Sequence, residues 1–102
     1  PSLIGVSDGG APSIGRVGLS AFPSPAAGPM GITVDVPRAG RVEVGVYDVA
    51  GRLVQTLLAG PLPAGAHRLT WDGAGAASGS GVYFIRLRSG SEQAVEKVVR
   101  VR

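Results

Sequence analysis

The sequence predicts an all-β chain folded as a single antiparallel β-sandwich of six to seven short strands, and three observations carry that expectation. Apolar residues alternate with polar ones in short runs, the period-2 signature of strands with one face buried. Gly and Pro, 17 and 8 of the 102 residues, fall between those runs and punctuate them at roughly the 8–12-residue spacing of a sandwich. No segment shows a convincing helical period of about 3.6 residues. A chain of 102 residues, 44% hydrophobic and 17% charged, suffices for one domain around one core.

Residues 1–18 mix Gly, Ser and Pro with isolated aliphatics, which predicts a linker or an N-terminal arm, with room for one short strand; the domain is expected over 19–102. Residues 19–22 precede a Pro-Ser-Pro stop. Ile32, Val34 and Val36 alternate with Thr33 and Asp35 up to Pro37 and an Ala39-Gly40 turn. Val42, Val44 and Val46 repeat the pattern, so residues 32–46 read as a hairpin with its branched side chains on one face. Asp48 can accept backbone N–H bonds, Gly51 can take a positive φ, and Arg52 lies close enough to pair with Asp48, all of which predicts a turn. A strand over 53–58 is followed by a Pro-rich loop, GPLPAG. His67, Leu69 and Trp71 share a face, and Asp72-Gly73 turns the chain. Tyr83, Ile85 and Leu87 alternate next, with Tyr83 placed to bury its ring and tie its hydroxyl to a loop. Ser89, Gly90 and Ser91 open the last hairpin. In the final strand Val95, Val99 and Val101 are expected on one face, interrupted by Lys97, with Val98 on the other. The predicted core is thus Val44, Val46, Leu69, Trp71, Tyr83, Ile85 and Leu87.

Little in the chain suggests chemistry. Asp48 has no second carboxylate nearby in sequence, and the single His67 lacks sequence-local partners for a metal site or a catalytic base. Ser78 stands where a dinucleotide-binding glycine pattern over Gly73 and Gly75 requires its last Gly, and no helix follows. One Trp-Asp pair without a repeat of about 40 residues excludes a propeller. We expect no enzyme activity and no cofactor or metal. The net charge of +3 comes from scattered basic residues with few aromatic platforms, which argues against nucleic acid. No run reaches the roughly 18 apolar residues of a membrane helix, and no signal peptide opens the chain. There is no Cys and no Asn, hence no disulfide and no N-glycosylation acceptor, and a start at Pro1 with Met30 as the sole methionine suggests a processed product, an expressed fragment or the tail of a longer protein.

The order VEVGVYDVAGRLVQTLL, GAHRLTWDG, SGVYFIRL, preceded by SAFPSPAAGPMGITVDVPRAG, resembles the immunoglobulin-like C-terminal domains of bacterial proteins exported by type IX secretion. It is similar also to the Ig-like domain of the flagellar hook-capping protein. The resemblance runs from about residue 19 to the last residue, and implies an Ig-like fold and a non-catalytic module for export or assembly, secreted or at the cell surface. The basic end, Lys97, Val99, Arg100, Val101 and Arg102, matches the positively charged ending of that family, and the implied partner is the secretion translocon. A second reading is a structural subunit of a filament or cap, in which the apolar arm with Leu3, Ile4, Val6 and Ile14 adds as a strand to a neighbour and gives a homo-oligomer. A third is a spacer domain of a larger extracellular enzyme.

Overall fold

The computed structural model describes residues 16–72 and 79–101. The arm residues Leu3, Ile4, Val6 and Ile14, the Gly73 turn with the loop after it, and Arg102 lie outside that range. Seven strands follow one another: β1 (Gly18–Phe22), β2 (Met30–Val36), β3 (Gly40–Tyr47), β4 (Leu53–Leu62), β5 (Gly65–Trp71), β6 (Gly81–Ser89) and β7 (Glu92–Arg100). They form a three-stranded sheet in the order β1-β2-β5 and a four-stranded sheet in the order β4-β3-β6-β7, with every strand pair antiparallel. This is an Ig-like sandwich.

The six branched side chains Ile32, Val34, Val36, Val42, Val44 and Val46 are all at most 1% exposed. Their alternation therefore reports the buried face, but the expected hairpin does not exist. β2 pairs with β1 and β5, whereas β3 pairs with β4 and β6. Alternation fixes which way a side chain points relative to the core and is silent about which strand lies alongside. Pro37, without an N–H, cannot extend a ladder, and the short link over 37–39 carries the chain from one sheet to the other. The two triplets meet face to face across the interior.

The strand expected over 53–58 continues to Leu62, through Gly60 and Pro61, pairing Gly40 with Leu62. Pro61 is tolerated because β4 is an edge strand with nothing on its outer side to receive an N–H. Two register shifts against β3 leave Leu57 and Val54 as extra residues. The first bulge lets Leu57 and Leu58, neighbours in sequence, both pack on the core.

The last strand divides its faces as the alternation predicts, and the face of Val98 is the inner one. Val98 is fully buried and Arg100 is 7% exposed, whereas Val95 is 56% exposed. Three valines at odd positions outweigh one at an even position in any count of hydrophobicity, yet the odd positions lie on the outer face of the sheet. On the even face Val98 and Ala94 pack on the core and Arg100 reaches the Trp71 ring.

Trp71 joins the two sheets. It is fully buried on β5 and stands opposite Met30 of β2. Its ring meets Tyr83 of β6 edge-on, at 5.2 Å between centroids and 70° between planes. The hydroxyl of Tyr83 donates to the Gly79 carbonyl at 2.8 Å. Leu69, on the same side of β5, is half-buried and packs against the same core. Replacing Trp71 with Ala removes the largest side chain in the core, and we expect a loss of about 3–5 kcal/mol in chemical denaturation, enough to unfold much of a marginally stable domain of this size. An unchanged midpoint would contradict the central position given to the ring.

Candidate functional site

The residues on which chemistry was conceivable are occupied structurally. His67 Nε2 lies 2.7 Å from the Pro63 carbonyl oxygen, which can only accept, so that nitrogen carries the proton and donates. Asp48 organises the β3–β4 turn. Its Oδ1 accepts from the N–H groups of Ala50 and Arg52, both at 2.9 Å, and its Oδ2 accepts from Arg52 Nε at 3.1 Å. Gly51 takes φ 83° and donates its N–H to the Asp48 carbonyl at 3.0 Å. The backbone N–H of Arg52, then that of Ala50 and the Arg52 guanidinium, hold the Asp48 carboxyl below the ordinary carboxylate value. Among the described residues no three His, Cys, Asp or Glu side chains gather as a metal site would require.

The basic end divides into parts with different roles. Lys97 is exposed and Val101 is 44% exposed. Arg100 is turned inward: its guanidinium lies 5.0 Å from the Trp71 ring centroid, and it donates from Nη1 to the Gly28 carbonyl at 3.0 Å and from Nη2 to that of Ala27 at 3.5 Å. Val99 is held through its backbone. Its N–H donates to Ser24 Oγ at 3.1 Å and its carbonyl accepts from Ala26 N–H at 3.0 Å, while Val101 N–H donates to the Ala26 carbonyl at 3.0 Å. Ala26 thus forms a parallel bridge with Arg100, and the segment between β1 and β2 clasps the end of β7. At the other end of β7, Glu92 Oε1 accepts from Val17 N–H at 3.0 Å.

The clasp was not foreseen. The Pro-Ser-Pro run signals only a chain reversal, and its partner lies about 75 residues on. Such a contact leaves no local pattern in the sequence.

Residues 23–93 match the model of the FlgD Ig-like domain. Among solved structures, the chain is similar to dimeric latent PorU from Porphyromonas gingivalis, with a TM-score of 0.66 and 23% identity, over 83% of this chain and 9% of that one. It is similar also to PorZ, an essential bacterial surface component of the type-IX secretion system of Porphyromonas gingivalis, with a TM-score of 0.57 and 21% identity, over 83% of this chain and 12% of that one. The chain therefore spans about a tenth of the length of either structure, and the likeness is one of fold. No curated relative matches it.

Two consequences are measurable. Arg100→Ala leaves two carbonyls without their donor and uncovers the Trp71 ring, and we expect a loss on the order of 2 kcal/mol, whereas exposed Lys97→Ala should stay within about 0.5 kcal/mol of the parent. Urea denaturation of both variants checks this. For Asp48 the lowered carboxyl pKa makes the turn stabilising above the ordinary carboxylate value of 3.8, and that contribution disappears as pH falls through the still lower folded value. Asp48→Ala should therefore melt below the parent at neutral pH and converge with it in strong acid; a gap that persists or widens in acid would contradict the assignment.

Proposed function

The chain belongs to the FlgD Ig-like domain family, and on that premise we propose that it is a non-catalytic Ig-like module that directs sorting or surface anchoring of an exported bacterial protein, as the C-terminal portion of that protein. The observation that carries this reading is the clasped strand β7. Because Ser24, Ala26 and Trp71 fix its end, a receptor meets the outward residues Val95, Lys97 and Val101 as part of a folded surface and not as a loose basic tail. The similarity to PorZ supports a secreted or cell-surface location, and the partner in this reading is the secretion translocon.

A second reading, a filament or cap subunit assembling by strand addition, is favoured by one observation. β7 is an edge strand whose outer side is bridged only near Ala26, and its remaining length is unpaired among the described residues. An arm donated by a neighbouring copy would find main-chain partners there.

Deletion of residues 94–102 is a poor test of sorting, since it removes Val98 and Arg100 from the interior. The better test fuses the whole chain behind a passenger in a type IX-competent host and compares it with Lys97→Glu and Val95→Glu variants shown to be folded. Surface delivery lost in the folded variants is the expected result; undiminished delivery would exclude this strand as the feature recognised. Sedimentation of the full chain and of residues 16–102 at matched concentration addresses the second reading, and equal sizes rule out the donated arm.

A further inference from the structure

The four-stranded sheet has an outer face that nothing in the sandwich covers. Five large apolar side chains stand exposed among the described residues, and three of them gather here: Val49 at 73%, Leu53 at 55% and Val95 at 56%. Between them Tyr47 and Phe84 stand opposite each other in the β3–β6 register and floor a groove of about 310 Å³ walled by Val49 and Val95. Gly45 allows its neighbours to lie flat, since a Cβ there would come within 3.0 Å of Leu53 Cδ1 and 3.3 Å of Tyr47 Cε1.

The charge on this face is predominantly positive, with Glu43 of β3 its one outward carboxylate among the described strand residues. Arg86 lies over the Tyr47 ring at 5.8 Å and is held by Gln93 Oε1, which accepts from its Nε at 3.2 Å and its Nη2 at 3.0 Å. Arg88 and Lys97 project from the same side of β6 and β7. Among the described residues none of these three cations has a carboxylate within ion-pairing distance; the ion pairs present are Arg41–Glu43 and Arg52–Asp48. Glu43 pairs with Arg41, and Asp48, at the rim, pairs with Arg52, so Arg86, Arg88 and Lys97 remain the cations open to a partner.

We infer that this face is a docking surface for an extended acidic peptide segment of a partner protein, with apolar side chains seated on Tyr47 and Phe84 and carboxylates meeting Arg86, Arg88 and Lys97. Charge complementarity selects the occupant. A second copy would bring like charges together, face against face. A sugar chain would need several free hydrogen-bonding groups, but Gln93 Oε1 and the Asp48 carboxylate are already engaged, which leaves aromatic surface, the Tyr47 hydroxyl and cations. Aromatic anchors ringed by charge are the usual composition of a peptide-binding patch. The docking face shares Val95 and Lys97 with the surface invoked for sorting but does not depend on that reading: binding in solution without export of a passenger would refute only the latter.

The test is a titration of the whole chain, followed by backbone amide NMR, with a short capped peptide of alternating glutamate and leucine. Companion peptides replace glutamate with lysine, or leucine with serine. The expected result is shifts confined to the surroundings of Tyr47, Phe84, Arg86 and Val95, binding weakened by added salt, and an affinity lower by about tenfold or more in both Phe84→Ser and the exposed variant Lys97→Glu. Equal binding of the lysine peptide, or shifts centred elsewhere, would overturn the proposal. Binding of dextran sulfate at the same face, indifferent to Phe84→Ser, would show a polyanion surface instead. Concentration-dependent dimerisation abolished by Phe84→Ser would show a contact between copies.

Discussion

The sandwich depends on one buried cluster, in which Arg100 lies over the Trp71 ring and Tyr83 meets that ring edge-on. The three residues bridge the two sheets: Trp71 comes from β5 of one, and Tyr83 of β6 and Arg100 of β7 come from the other. A guanidinium is costly to bury unless its donors are used and its charge is stabilised. Both conditions are met here, by the carbonyls of Ala27 and Gly28 and by the indole face. On the same strand Val98 enters the core and Lys97 points outward, and the end that Arg100 anchors is the one to which Ser24 and Ala26 bond. The surface on which Val95 and Lys97 stand is therefore set by a residue that is itself almost hidden.

What the sequence makes legible is facing. Ile32, Val34, Val36, Val42, Val44 and Val46 alternate cleanly, and all are buried; Asp48, Gly51 and Arg52 sit together within one turn and act together there. Pairing is less legible, because residues 32–46 alternate identically whether the two strands share a sheet or face each other across the core. Edges mislead in another way. Pro61 looks like a stop yet belongs to β4, since an outermost strand spares one N–H without loss. On β7 the hydrophobic majority points to water, and a cation points in.

The candidate surfaces are hidden from a linear reading for a related reason. Chemistry in a pocket often announces itself by residue type, as a nucleophile, a base or a ligand cluster. A docking face is made of ordinary residues, and Tyr47, Phe84 and Val95 become neighbours only when β3, β6 and β7 lie side by side. The clasp at Ser24 and Ala26 is similar, because neither residue is unusual alone. The exposures of Val49, Leu53 and Val95 acquire meaning from sharing one face with Tyr47 and Phe84 between them, not from being exposed.

The parallel bridge between Ala26 and Arg100 also has a mechanical meaning. The described chain enters beside Glu92, at the start of β7, and leaves beyond Arg100, at its other end. A pulling force applied between the two ends of the described chain would run along β7 and load the bonds of Ala26 to Val99 and Val101 in shear, all at once, instead of peeling them one by one. Resistance to such a load is governed by the rate of unfolding and not by equilibrium stability. The few bonds made by Ser24 and Ala26 thus act as a latch that must yield before the sheets can separate under tension.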